Sequence, residues 1–336
     1  MKGLQLSAYG DPAEVIKLVD LPEPGSLAPD EYIIDVEAAP IEPTDQYIIA
    51  GIYGELPPLP HFLGCEGVGR VSAVGRDVKH VKIGDRVLAP MLKNNTWVDR
   101  IRTNETWQRA LPEGDLNQLA QLGMNPATAY LILTEFVTLH PGEWVISTAA
   151  NSAVGRSVIP IAKARGVKTV NVVRRPELAA EITALGGDVV LVDGPDLPLQ
   201  IAAATGNTRI PLALDGVGGP TTQRLLDSIG LYGKVILWSR MSGEPSTIDS
   251  VPILFTGKSL HGLWIVNWLK VPGNRERLTA IYEEVAPLVA SGAISIPVAG
   301  EFALDQYVEA LVLAAKYRGK AILRPNVHAR AAASIG

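Results

Sequence analysis

Residues 144–155 read Trp-Val-Ile-Ser-Thr-Ala-Ala-Asn-Ser-Ala-Val-Gly, and residues 168–175 read Lys-Thr-Val-Asn-Val-Val-Arg-Arg. Between them, residues 153–165 carry apolar side chains at helical spacing. The pattern predicts strand, tight turn, helix, strand, which is one βαβ unit of a parallel sheet. A turn of small residues lets the backbone approach a pyrophosphate, whose charge then rests on the helix N-terminus. Asn151, Ser152, Ala153 and Val154 stand in or beside that turn. Gly155 is its one glycine, so the fingerprint is degenerate. A crossover of the same pattern that binds nothing is the competing reading here. The end of the second strand adds a second signal. Dinucleotide enzymes that use NADH place Asp or Glu there for the ribose 2′-hydroxyl, whereas this chain has Arg174 and Arg175. Guanidinium groups suit a 2′-phosphate, so the pair points to NADPH.

Outward from this unit the periodicities alternate. A helix is predicted over 176–185 and strands over 189–192, 210–214 and 234–237, at the pace of a parallel α/β sheet. Residues 118–138 read as helical on either side of Asn125-Pro126. Before about residue 110 the chain reads instead as short strands, among them 31–38, 67–74 and 85–89, broken by Gly and Pro. That predicts a compact β domain, partly open and barrel-like. The Pro-rich run 51–60 excludes a regular helix. After Trp268 come a helix over 275–291, a strand over 298–302, a helix over 306–318 and a last strand over 320–323. The tail 329–336 is rich in small residues and is expected to fray.

Composition narrows the function. Of 336 residues, 47% are hydrophobic and 19% charged, which excludes a disordered chain. Thirty Lys and Arg against 35 Asp and Glu give a net charge of −5. A mildly acidic chain without a long basic run is a poor partner for nucleic acid or an anionic membrane. Cys65 is the one cysteine, so no intrachain disulfide and no Cys-rich zinc site can form. The five histidines, His61, His80, His140, His261 and His328, show no ligand spacing with one another or with Cys65, so no metal is expected. The N-terminus has no apolar core of a signal peptide and meets Asp11 and Pro12 early, and no run of eighteen residues stays apolar. A soluble protein of a reducing compartment, the cytoplasm, is the expectation.

Taken together, the β domain, the late return of the chain to it and the degenerate turn resemble the medium-chain dehydrogenase/reductase superfamily over most of the chain. Its zinc branch has a catalytic Cys where this chain has Pro43, in Pro43-Thr-Asp45, and a His where it has Cys65, before Glu66. That branch also carries a four-cysteine structural lobe that is absent here. The chain therefore resembles the zinc-free branches, which include quinone reductases and the mitochondrial-type 2-enoyl thioester reductases. Tyr53, in Gly51-Ile-Tyr-Gly, fits either. Gly123-Met-Asn-Pro-Ala-Thr-Ala-Tyr130, Asn171-Val-Val-Arg-Arg-Pro176 and Gly262-Leu-Trp-Ile-Val-Asn-Trp268 are similar to segments of the enoyl reductases, as is Asn151-Ser-Ala-Val-Gly155.

The resemblance implies an α/β fold with two domains. Residues 1–126 and 270–336 would form a GroES-like β-rich catalytic domain, and 127–269 a doubly wound Rossmann domain for NADPH. It implies Tyr53 as the catalytic acid. It implies cofactor contacts at Asn125, at Asn151 to Val154, at Arg174 and Arg175, and at Met241. Leu263, Trp264, Ile265 and Lys320 complete the implied set, while Trp268 is left as core. The implied reaction is reduction of the C2–C3 double bond of a 2-enoyl thioester, carried on CoA or acyl carrier protein, in fatty acid metabolism by a homodimer. An NADPH quinone or alkenal reductase, or a non-catalytic NADPH-binding protein, is the alternative. One position departs from the pattern: Arg240 stands where a small residue is usual, in Trp238-Ser-Arg-Met241.

Overall fold

The computed structural model describes residues 1–91, 95–316 and 319–326. The tail 329–336 and the last two residues of the expected 306–318 helix lie outside the described residues. The chain divides into two compact units. The first holds Met1–Met124, Glu276–Ser291 and Ile296–Gly336, and the second holds Asn125–Arg275 and Gly292–Ser295.

The first unit is built on β3 (Tyr32–Pro40). β1 (Lys2–Leu6) and β2 (Ile16–Asp20) form a hairpin that β4 (His61–Phe62) extends, with α1 (Pro12–Val15) in its turn. The second sheet adds β5 (Val68–Val74), β6 (Arg86–Leu88) and β7 (Arg100–Thr103), with α2 (Pro43–Ile49) and α3 (Leu116–Ala120) beside them in sequence. β3 pairs β5 along one side. On the other side its first half pairs β7, and its end pairs a strand from the C-terminal return. Buried Leu4, Leu6, Ile48, Leu63, Trp97 and Leu323 belong to one core between these layers. The hairpin and α2 are not apparent in the sequence. Elements of four to seven residues are too short for either periodicity to stand out.

The second unit opens with α4 (Asn125–Thr134). The Asn-Pro pair starts this helix rather than interrupting one, because Pro126 sits in a first turn that needs no N–H from it. Then follow β8 (Trp144–Ser147), α5 (Ala153–Ala164), β9 (Lys168–Val173), α6 (Ala179–Ala184), β10 (Val189–Val192) and α7 (Leu197–Thr205). Next come β11 (Leu212–Asp215), α8 (Pro220–Ser228), β12 (Lys234–Leu237), α9 (Ser250–Thr256), β13 (Ser259–Gly262) and α10 (Ile265–Lys270). The six strands are parallel in the order β10-β9-β8-β11-β12-β13. Residues 176–185 are a 3₁₀ turn followed by α6, since Pro176 fits a first turn. β11 starts two residues later than expected, past Pro211. Buried Ile146, Val170, Ile201, Leu225 and Val235 form a core on this sheet. α11 (Asn274–Ala290), β14 (Val298–Ala303), α12 (Tyr307–Lys316) and β15 (Lys320–Arg324) then return to the first unit, where β15 is the strand that meets the end of β3. The α/β class and the pairing of a GroES-like β domain with a Rossmann domain hold.

Candidate active site

The turn after β8 is built for close approach. Ala149 takes a left-handed φ of 49°, uncommon for a residue with a Cβ. The Ser152 amide donates to the Ala149 carbonyl at 2.8 Å, closing the turn. Ser152 caps α5, its hydroxyl accepting from the Gly155 amide at 3.1 Å. First-turn amides have no partner within their own helix, so Ala153 and Val154 present donors to an anion at this end. A Cβ on Gly155 would lie 2.5 Å from the Ala149 carbonyl and 2.6 Å from Ala150 Cα. Only glycine lets helix and turn pack this closely. The residues therefore fit a pyrophosphate although two glycines of the usual fingerprint are missing.

Parallel pairing brings the expected contacts that follow β9, β12 and β13 to the same carboxyl edge of the sheet. Arg174 and Arg175 follow β9, next to β8. Arg174 is exposed, and the Nε of Arg175 lies 3.4 Å from Glu177. Met241 follows β12 and is 53% exposed, its amide donating to the Gly216 carbonyl at 3.1 Å. Leu263 continues β13, donating its amide to Leu237 at 2.8 Å. Trp264 and Ile265 open α10, and the Lys270 ammonium stands 5.7 Å from the centre of the Trp264 ring. Asn125 is half-buried at the start of α4. Trp268 is a correction: it is half-exposed, with its indole N–H donating to Glu135 at 3.1 Å, and is not closed core. Arg240 is exposed, with its Cγ 3.1 Å from where a Gly218 Cβ would sit.

The strand order reverses between β8 and β11, and a polar knot sits there that the sequence reading missed. Buried Asp215 accepts from the Val217 amide at 2.9 Å, the Gly218 amide at 3.0 Å, the Thr148 hydroxyl at 3.2 Å and the Thr222 hydroxyl at 2.7 Å. The Gly216 amide in turn donates to Thr148 at 2.9 Å. This knot fixes the loop on which the Met241 amide leans. Its sequence signal was present: an acid at a strand end, followed by Gly-Val-Gly-Gly, marks an Asx turn.

In the first unit, Tyr53 lies in the loop after α2, half-buried against the core. Gly51 makes the turn into that loop with a φ of 73°, and a Cβ there would stand 3.0 Å from Tyr9. The Tyr9 hydroxyl donates to the Pro57 carbonyl at 2.5 Å. The loop is thus held at both ends of the tyrosine. Lys320 begins β15, and its ammonium pairs with buried Glu42. Asp45, fully buried, accepts from the Glu42 amide at 2.8 Å and the Cys65 amide at 3.0 Å. Burial pushes its carboxyl up to about 7. Glu66 accepts from the Met124 amide at 2.7 Å.

Comparison with known proteins shows the family. Residues 28–144 match the alcohol dehydrogenase GroES-like domain, and residues 153–283 match the zinc-binding dehydrogenase family. The chain is 35% identical over 319 residues to the mitochondrial enoyl-[acyl-carrier-protein] reductase of Rattus norvegicus, covering 93% of this chain and 84% of the relative. This protein belongs to the enoyl reductase branch of the medium-chain dehydrogenase/reductases. It is an oxidoreductase. A solved Escherichia coli quinone oxidoreductase, complexed with NADPH, matches with a TM-score of 0.81 at 26% identity, over 97% of this chain and 100% of that one. The enoyl thioester reductase from Candida tropicalis shares the fold, with a TM-score of 0.83 over 96% of this chain and 99% of that one, at 23% identity.

Within this branch of the medium-chain reductases the zinc-ligand positions have changed character. Pro43 opens α2, and Cys65 is a buried free thiol whose Sγ lies 3.5 Å from Asp45. Among the described residues, no group of three His, Cys, Asp or Glu side chains is placed to hold a metal ion. The buried carboxyls Glu42, Asp45 and Glu66 were missed in the sequence, although acids set inside the apolar runs around 40–49 and 63–68 are a visible signal. No helix among the described residues is long and apolar enough to cross a membrane. The relatives are named as mitochondrial, whereas the sequence reading expects the cytoplasm.

Proposed function

We propose that the protein reduces the C2–C3 double bond of a 2-enoyl thioester, on CoA or acyl carrier protein, with NADPH. The observation that carries the cofactor is the turn: Gly155 without room for a Cβ, the Ser152-capped α5, and two arginines at the end of the neighbouring strand. Support for the substrate comes from the names of the relatives, which are enoyl-[acyl-carrier-protein] reductases at 31–35% identity over 92–93% of this chain in rat, mouse and Xenopus. NADPH supplies, when bound, the hydride that such a reduction needs at Cβ. The chain's own residues do the rest. Ala153 and Val154 amides hold the pyrophosphate, and Arg174 and Arg175 hold the 2′-phosphate. Tyr53, with a phenolic hydroxyl, donates to the thioester oxygen or to Cα as charge develops there.

The test follows NADPH oxidation with crotonyl-CoA, hexenoyl-CoA and a quinone side by side. Turnover of the thioesters well above the quinone is the expected result. The reverse order would favour the quinone reductase reading, which the likeness to the Escherichia coli enzyme and the bulky Arg240 keep in view.

We also read the protein as a homodimer. β13 is one of the two edge strands of the parallel sheet. Beside it in sequence, Leu254 and Phe255 on α9 are 74% and 76% exposed, and Tyr232, whose amide donates to Thr256, is 73% exposed. An open strand next to exposed apolar side chains invites pairing with a second copy. Light scattering should report a dimer at micromolar concentration. A monomer there contradicts this reading.

A further inference from the structure

Glu66 is 1% exposed, and its two oxygens have unequal fates. Oε2 accepts from the Met124 amide at 2.7 Å. Oε1 is fully enclosed and has no hydrogen-bond partner among the described residues. Glu42, 4% exposed, lies within hydrogen-bonding reach of Glu66 and receives the Lys320 ammonium. One ammonium balances one carboxylate. A second carboxylate with a bare oxygen, beside the first and out of water, is the costly arrangement. A proton on the Glu66 carboxyl lowers the cost, because it leaves one buried charge fewer and supplies a donor within reach of Glu42. The other groups around it do not compete for that role. Asp45 is satisfied by two amides and a thiol, and the Cys65 thiol and Tyr282 hydroxyl are pushed up by burial and stay protonated. Burial and the neighbouring Glu42 likewise raise Glu66, in keeping with the geometry.

The place of this acid matters because of what it grips. Tyr282 donates its hydroxyl to the Gly123 carbonyl at 2.8 Å, and Glu66 takes the next amide, that of Met124. The peptide between residues 123 and 124 is thus held on both polar groups, and the following residue is Asn125.

We propose that Glu66 is a positioning residue, kept as a carboxylic acid by a proton it shares with Glu42, and that through Met124 it sets the backbone presenting Asn125 to the cofactor. The positioning half rests on the reading of Asn125 as a nicotinamide-side contact; the protonation half does not.

Glu66→Gln separates the two halves. The amide keeps an acceptor for Met124 and carries its N–H toward Glu42 at every pH. For the parent, a proton held more tightly folded than unfolded gives stability that is complete below the ordinary glutamate range. It is lost as pH rises toward the folded titration point, by up to about tenfold in the folding constant per pH unit. The variant has no such loss, and Asp45 titrates in both proteins. In urea unfolding at pH 5.5 and pH 8, the folding constant of Glu66→Gln should therefore rise relative to the parent, by up to about tenfold per pH unit. Parallel pH curves would overturn the shared proton. For positioning, NADPH fluorescence titration should show Glu66→Ala weakened about tenfold and Glu66→Gln within about threefold of the parent. Equal losses in both, or none in Glu66→Ala, would overturn it. Neither readout uses an enoyl substrate, so a failure of the thioester reading leaves both decisive.

Discussion

Replacing Tyr53 with phenylalanine leaves the fold intact and lowers turnover by about 10²–10⁴-fold, the usual worth of a positioned acid. The ring keeps its packing against the core of the first unit, and the loop keeps its two fixings, the left-handed Gly51 and the Tyr9–Pro57 hydrogen bond. Stability and NADPH affinity should therefore barely move. The loss should fall on kcat and kcat/KM together, since the donated proton matters as charge develops in the transition state. Steady-state rates with crotonyl-CoA decide it. A variant within about threefold of the parent removes Tyr53 from the mechanism. It would also favour a quinone substrate, whose reduction can take its proton from solvent.

Removing both Arg174 and Arg175 should weaken NADPH by about 10²-fold or more and leave NADH nearly unchanged, erasing most of the preference. Each charge-assisted contact to a phosphate is worth roughly 1.5–3 kcal/mol. The two guanidinium groups are not equal. Arg174 is exposed, whereas Arg175 already faces Glu177 at 3.4 Å. An exposed pair of that kind is worth about 0–1 kcal/mol, so it taxes the Arg175 contact without cancelling it. The single variants should order accordingly, with Arg174→Ala the larger loss. Titration of the parent with both cofactors is the check, and equal affinities would end the argument.

How much was legible depends on distance along the chain. The β8-α5-β9 unit was readable because its strands are short runs rich in Val and Ile and its helix is long enough to show a period. Gly155 was readable because the turn, helix and glycine are contiguous. The short elements α2, α9 and α10 were not, since six or seven residues do not complete two helical turns. The acid cluster was least legible. Glu42 and Lys320 are 278 positions apart, and nothing in the local spacing of either announces the other. Lys320 was expected at the cofactor through resemblance. Its ammonium meets Glu42, so any contact with a cofactor competes with that pair.

The pairing of β15 with the end of β3 also sets a schedule for synthesis. β3 leaves the ribosome early, yet the strand that covers its last residues is made some 280 residues later. All six strands of the parallel sheet lie between residues 144 and 262 and emerge after β3 but before β15. The parallel sheet can therefore pair all its strands while β3 in the first unit waits with an unpaired end. A nascent chain halted before residue 320 exposes Ala39 and Pro40 at that end, where chaperones would have something to hold.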